Sequence, residues 1–299
     1  MLNKKSAITF TIINKFASAN YGESLGNAAA LKKMVCEDCK AHTYLSRQAL
    51  RYNIYNQMCE AMTPIESMGS GDKKVLQFAP SATIEEYPEI DLFGYLKTVK
   101  NQTVQPHRSA VVRLSNAVSL TPYEYDMDFL TNMGLAERIR KENSDEKNNI
   151  AQAEVHQAYY AYTVAIDLDR VGVDENDGID IDNTEKARRV QKLLDTIQYL
   201  YRDIKGRRED LKPLFIIGGN YEIKNPLFET TVKVEDNKVK IDAIKAVLED
   251  ENVAKDTEVG VIDGIFDNTE ELKDELNATS VQKFMSNLKQ KVTEYYEGN

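Results

Sequence analysis

The chain has 299 residues, 42% of them hydrophobic, a formal net charge of −10 and three cysteines. That is enough apolar material for one large domain or two ordinary ones, which excludes a disordered tail. No run of about 18 apolar residues is present to span a bilayer, and the N-terminus lacks the small-residue cleavage site of a signal peptide. Cys36, Cys39 and Cys59 are too few, and odd in number, for a disulfide framework, so a reducing, cytoplasmic compartment is expected.

The acidity is unevenly spread. Residues 1–59 hold eight cations (Lys4, Lys5, Lys15, Lys32, Lys33, Lys40, Arg47, Arg51) against three acids (Glu23, Glu37, Asp38), a surplus of five, so the rest of the chain carries −15. Segregation of this kind points to a polyanion held on one face of an otherwise acidic, soluble molecule.

In chain order, Ile8, Phe10 and Ile12 alternate with Thr9, Thr11 and Ile13 and predict a first strand. A loop rich in Gly, Ser and Asn follows. A helix is expected from Ser46, where Leu50, Ile54, Met58 and Met62 recur every fourth residue after an N-cap. Residues 64–108, with Gly69, Gly71 and four prolines, show no sustained period and read as an insertion. Strands are expected near Ala110–Val118 and Tyr159–Ile166. Residues 121–156 between them, with the charge run Glu137–Asn149, read as a solvent-exposed projection.

The second helix is predicted over Glu185–Lys205 and stopped by Gly206, because Val190, Leu193, Leu194, Ile197, Tyr201 and Ile204 follow helical spacing. Pro213–Gly219 reads as a buried strand. Beyond it come a strand at Phe228–Val234, apolar Val259–Phe266 and a C-terminal helix on Val281, Phe284, Met285, Leu288 and Val292. Strand, helix, strand, strand, helix, strand is the order of the split βαβ unit. The expected fold class is therefore α+β, a ferredoxin-like or RNA-recognition-type palm with long insertions.

Arg47 and Arg51 lie one turn apart at the start of the first helix, where cations oppose the macrodipole unless an anion is bound. A phosphate reverses that sign. Free backbone N–H groups, the Ser46 hydroxyl, two guanidinium groups and nearby Lys32 and Lys33 would form its site; two solvated arginines are the bland alternative. Cys36-Glu-Asp-Cys39 with His42 has a zinc-like C-x2-C spacing, but a fourth ligand is missing and free thiols are the preferred reading, so no metal is expected. Asp174–Gly178 with Asp180 and Asp182 resembles a calcium loop. Aligning Gly178 with the sixth position puts Val173 first and Thr184 twelfth, so a solvated acidic turn is preferred.

No G-x-S-x-G, Walker A, G-x-G-x-x-G or H-E-x-x-H is present, and His42, His107 and His156 are scattered, so no enzymatic activity is expected. Phe129, Leu130 and Met133 are unusual on a polar projection. Either they wedge between nucleic-acid bases or they pack back on the domain.

The stretches FASANYGESLGN (16–27), TYLSRQALRY (43–52), RLSNAVSLTPYEYDMDFLTNMG (113–134), YYAYTVAIDLDRVG (159–172) and LKPLFIIGGNYEIKNPLF (211–228) resemble the DevR family of CRISPR-associated proteins, the type I-B form of the Cascade backbone subunit. The resemblance implies an RNA-recognition-type palm from residues 1–63, 109–120 and 157–299, fingers at 64–108 and a thumb at 121–156. It implies a palm grip on guide RNA by Asn20, Ser46, Arg47, Gln48 and Arg51 with Lys32, Lys33 and Arg113 beside them, and thumb wedges at Phe129 and Met133. Copies would polymerise along crRNA and present it for pairing with target DNA, alongside a large subunit, a Cas-five-type cap and a crRNA-processing endonuclease, with no cofactor.

Two rival readings stand beside it. One is RNA cleavage of the type III kind, which uses an aspartate in the loop after the first strand; here Ser24–Val35 contains no carboxylate, and Glu37 and Asp38 come later. The other, from the family's older name, is transcriptional autoregulation, for which no helix-turn-helix is evident.

Overall fold

The computed structural model describes residues 5–17, 19–26, 28–68, 74–99, 103, 105–131, 133–140 and 150–298. Gly69, Gly71 and most of the expected charge run, residues 141–149, lie outside them.

The chain is mixed α+β. Strand β1 (Ala7–Phe16) leads into four short strands, β2 (Tyr21–Leu25), β3 (Ala28–Leu31), β4 (Lys33–Val35) and β5 (Ala41–Leu45), before helix α1 (Arg47–Met58). The insertion holds a hairpin of β6 (Ile65–Met68) and β7 (Val75–Phe78), helix α2 (Pro88–Phe93), and the paired β8 (Tyr95–Leu96) and β9 (His107–Arg108). Next come β10 (Val112–Leu114), β11 (Ala117–Ser119) and a projecting hairpin of β12 (Met127–Thr131) and β13 (Ile150–Glu154) with α3 (Met133–Arg140) between them.

Strand β14 (Ala158–Asp167) then crosses the centre, followed by β15 (Val173–Asp174), β16 (Ile179–Asp180) and helix α4 (Asn183–Gln198). A hairpin of β17 (Tyr201–Ile204) and β18 (Arg207–Asp210) precedes β19 (Phe215–Tyr221), β20 (Val234–Glu235) and β21 (Lys238–Val239). The chain ends with α5 (Ile241–Leu248), α6 (Glu251–Ala254), β22 (Thr257–Val261), α7 (Thr269–Leu276), β23 (Thr279–Ser280) and α8 (Val281–Glu297). None of the described helices is long and apolar enough to cross a membrane.

The main sheet runs β23-β22-β19-β1-β14-β11-β5-β4, with β10 also paired to β14. Its middle is antiparallel throughout: Ala7 faces Asp167 across β1/β14, and Phe10 faces Gly218 across β1/β19. The period of two in β1 sorts its side chains. Ile8, Phe10 and Ile12 join Leu50 and Ile54 of α1, Val190 and Leu193 of α4, and Phe284 and Met285 of α8 in one buried cluster. Ile13 turns to the other face, with Phe215, Ile217, Ile244 and Leu272.

Four expected elements differ. Helix α1 ends at Met58 because Cys59 adopts the left-handed conformation (φ 52°), which leaves Met62 off the helix and exposed. Helix α4 stops at Gln198, and Tyr201 and Ile204 belong to a hairpin. Lys205 and Gly206, both at positive φ (49° and 73°), make its turn in the two-residue pattern that matches strand twist. The strand expected at Phe228–Val234 is mostly turn, since Glu229 N–H donates to the Pro226 carbonyl and Thr231 N–H to that of Phe228. The strand expected at Ala110–Val118 is split: Leu114 pairs with Val164 but Val118 with Ala161, so four steps on one strand match three on the other. One extra residue makes this a β-bulge at Ser115–Asn116.

The insertion is bolted to the core by one carboxylate. Asp91 of α2 is fully buried; its Oδ1 accepts from Arg108 Nη2 (2.8 Å) and the Gly172 N–H (2.9 Å), and its Oδ2 from Arg189 Nη1 of α4 (2.9 Å). A buried charge of this kind persists only when paired and hydrogen-bonded on both oxygens, and here it is.

Candidate nucleic-acid interface

Helix α1 begins beside the bulge. Ser46 is its N-cap, in extended conformation (φ −66°, ψ 149°), and its Oγ accepts the Ala49 N–H at 3.3 Å. The Leu50 N–H bonds the Ser46 carbonyl, and the Arg47 N–H donates to Asn116 Oδ1 at 2.9 Å. The extra residue at Ser115–Asn116 is what lifts Asn116 off the ladder and over the helix end. The sequence suggested a set of free N–H groups here. The chain satisfies most of them itself, and only the Gln48 N–H is left without a partner among the described residues.

Asn20 acts one layer below. Its Oδ1 accepts the Ser46 N–H at 2.7 Å, while its backbone bonds Tyr44 and Lys32. It positions the cap.

Around this helix end lies a depression of about 590 Å³ that gathers Lys32, Ser46, Arg47 and Gln48 from the expected set. Tyr44, Ser115, Asn116 and Glu229 complete its wall with Leu114. Lys32 and Arg47 are exposed, and neither side chain has a partner among the described residues. Two free cations, a free helix N–H and side-chain amides together suit a phosphate. Glu229 was not foreseen, and its carboxyl is pushed above its ordinary range by desolvation.

Three expected residues lie elsewhere and are engaged in ion pairs. Lys33 donates to both oxygens of Glu154 (2.8 and 2.6 Å) and sits 4.4 Å from the Tyr123 ring centroid. Arg51 pairs with Glu89 at 3.1 Å and lies over Phe93, on a groove formed with Ile65, Val75 and Leu76 of the insertion. Arg113 on β10 pairs with Asp167 at 2.9 Å. The helix periodicity placed Arg51 one turn below Arg47. The insertion's Glu89 then captures it on another wall.

A further group of cations stands on the β17/β18 hairpin, whose first strand the helical spacing of Tyr201 and Ile204 assigns to the second helix. Lys205 stands 3.7 Å from the ring centroid of Tyr21, linking the hairpin tip to β2, and Arg207 and Arg208 follow. Arg208 donates to both oxygens of Asp203 (2.8 and 2.9 Å), whose carboxyl it holds below the ordinary range. The Lys-Gly pair inside Tyr-Arg-Asp-Ile-Lys-Gly-Arg-Arg-Glu-Asp was the available hairpin signal.

The projection is a hairpin whose apolar residues stay out in solvent. Phe129 is 62% exposed, Leu130 65% and Met133 54%, so packing back on the described residues is not what they do. Strand β13 also pairs in parallel with β3, Gln152 facing Ala28, which ties the projection to the segment preceding the depression.

Cys36 and Cys39 flank the turn between β4 and β5, and Cys59 lies at the end of α1. Burial and the neighbouring Asp38 and Glu37 push the Cys36 thiol up. Both His42 nitrogens are committed, Nδ1 to the Ser119 carbonyl (2.7 Å) and Nε2 to Asp38 (3.2 Å). The described residues hold no group of three or more candidate metal ligands. Glu37 pairs with Lys233, and the Lys40 N–H and His42 hold Asp38 below its usual range. In the acidic turn, Asp182 caps α4 by accepting the Glu185 N–H at 2.9 Å.

The family model described as CRISPR-associated negative auto-regulator DevR/Csa2 matches residues 8–243. The chain belongs to this family. Among solved structures, a chain of a CRISPR RNA-guided surveillance complex in a pre-nicking state is similar at a TM-score of 0.63 and 12% identity, covering 96% of this chain and 100% of that one. A chain of a second CRISPR RNA-guided surveillance complex is similar at a TM-score of 0.55 and 15% identity, covering 88% and 92%. At these identities the shared property is the fold. No curated protein sequence matches the chain.

Proposed function

We propose that this chain is a non-catalytic backbone subunit of a type I-B, Cascade-type surveillance complex, polymerising along crRNA in the cytoplasm. The DevR/Csa2 chain would hold the guide by its phosphates and leave base edges free to pair with target DNA. The observation that carries the reading is the depression at the start of α1, lined by Lys32, Arg47 and Gln48, where the two cations and the Gln48 N–H have no partner among the described residues. The strand order β19-β1-β14-β10/β11 with α1 and α4 on one face supports a ferredoxin-like palm. The exposed Phe129 and Met133 support a thumb that works on bases. A non-catalytic role agrees with Glu37 and Asp38 standing at a hairpin tip, engaged with Lys233 and His42.

The test is purification of the protein with sizing of co-purified nucleic acid, wild type against Lys32→Ala/Arg47→Ala. RNA-bearing filaments in the wild type and bare monomers in the variant support the reading. A wild type with no salt-sensitive RNA affinity, alone or with its partner subunits, overturns it. Guide-matched RNA cut in magnesium, with cleavage lost on Asp38→Ala, would replace the scaffold with a nuclease.

A further inference from the structure

The depression is not uniformly positive. Glu229 lines the same depression as Lys32 and Arg47, on the turn that follows Pro226, and is fixed there by its own N–H bond to the Pro226 carbonyl. Its carboxylate pairs with neither cation and with no other side chain among the described residues. The acids beside the other expected cations are paired: Glu154 takes Lys33, Glu89 takes Arg51 and Asp167 takes Arg113. Among the described residues that line the depression, Glu229 is the one acid, and it forms an ion pair with neither Lys32 nor Arg47.

A ligand carrying only phosphates gains from Lys32 and Arg47 but is repelled by Glu229. A ligand carrying a hydrogen-bond donor a few ångströms from its phosphate satisfies both sides, because an ionised carboxylate only accepts and does so strongly. The ribose 2′-hydroxyl is such a donor and is the group that distinguishes RNA from DNA. We propose that Glu229 accepts the 2′-hydroxyl of the nucleotide whose phosphate is held by Lys32 and Arg47, which makes this depression selective for RNA over DNA. The inference rests on the guide-binding reading and names what sets its sugar preference. A scaffold that must hold one strand as RNA while its complement is DNA needs that distinction.

The experiment is equilibrium binding at low salt of short single strands of one sequence in three chemistries: RNA, DNA and 2′-fluoro RNA. The fluoro strand keeps the sugar pucker but lacks the donor. Wild type should prefer RNA to both others by roughly ten-fold, the worth of one charge-assisted hydrogen bond. Glu229→Ala should erase most of that gap, losing affinity for RNA while gaining on DNA and 2′-fluoro RNA. Glu229→Gln, which keeps an acceptor without the charge, should retain a smaller preference. Glu235→Ala removes a charge outside the depression and should behave as wild type. Equal binding of RNA and 2′-fluoro RNA by the wild type, or an unchanged preference in Glu229→Ala, overturns the role of Glu229 while leaving the guide-binding reading standing. A preference that follows base sequence instead of sugar assigns the carboxylate to a base amine and overturns it equally. Wild type binding none of the three strands overturns the guide-binding reading and this inference with it.

Discussion

Asn20 and Ser46 are joined by one bond, the Asn20 Oδ1 accepting the Ser46 N–H at 2.7 Å, and through it the segment after β1 sets where α1 starts. The amide also places the cap on which Arg47 and Gln48 depend. Asn20→Ala should cost about 1–2 kcal/mol, a few degrees of Tm for a chain this size, whereas Asn20→Asp, which keeps an acceptor, should cost less. Denaturant melts of both variants decide it. An unchanged midpoint in Asn20→Ala means that water replaces the bond.

The geometry separates two arginines that the helix period puts together. Arg47 has no side-chain partner among the described residues and lines the depression, whereas Arg51 is paired with Glu89 on another wall. Arg47→Ala and Lys32→Ala should each reduce the slope of log affinity against log salt for single-stranded RNA by about 0.7. Arg51→Ala should leave that slope as it is, even if it lowers stability. A slope that responds to Arg51 and not to Arg47 would move the RNA track onto the insertion.

Where the sequence was legible, a single periodicity decided the matter. Helices α1 and α8 bury one face and leave its spacing in the residues; β1 alternates although both its faces are buried, and β19, buried along its length, shows as the apolar run Leu214–Ile217. The misreadings share a cause. Tyr201 and Ile204 continue the helical spacing of α4 by coincidence while the Lys205-Gly206 turn dictates a hairpin. The strands β2–β5 are too short to display a period. The site shows the same division: Ser46 and Arg47 follow from capping logic. Asn116, Glu229 and the capture of Arg51 by Glu89 depend on a bulge, a turn and an insertion that meet only in three dimensions.

Asp91 pairs with two buried guanidinium groups, so its removal leaves Arg108 a buried charge with carbonyl partners alone and leaves Arg189 only partly neutralised, by Glu185. Asp91→Ala should destabilise by about 3–5 kcal/mol. Urea denaturation gives the number. A loss below about 1 kcal/mol would mean that Arg108 and Arg189 reach water or other acceptors with little rearrangement.

Glu185 at the start of α4 accepts from Arg188 Nε (2.6 Å) and Arg189 Nε (2.7 Å), and those bonds lower its carboxyl from 4.5 to about 2. With the folded value depressed, the unfolded chain takes up the proton first as pH falls. The stabilisation is therefore complete above about pH 4.5 and lost on the way down to about pH 2. Glu185→Gln should flatten the fall in stability across that window, as read by melting at stepped pH. A variant as acid-sensitive as the wild type there would assign the loss to other carboxylates.

Phe129 and Met133 separate a structural role from a binding one. Both are more than half exposed on the projecting hairpin, so truncation removes little packing from the folded chain. Phe129→Ala and Met133→Ala should each leave stability within about 0.5 kcal/mol of wild type. If Phe129 stacks on a base, its loss should weaken single-strand binding by about 1–3 kcal/mol, without changing the salt slope because no phosphate contact is lost. Thermal melts and salt-titrated binding on the same samples keep the two effects apart. A lowered Tm with intact binding would show that these side chains pack on the rest of the chain in solution and do not stack on bases.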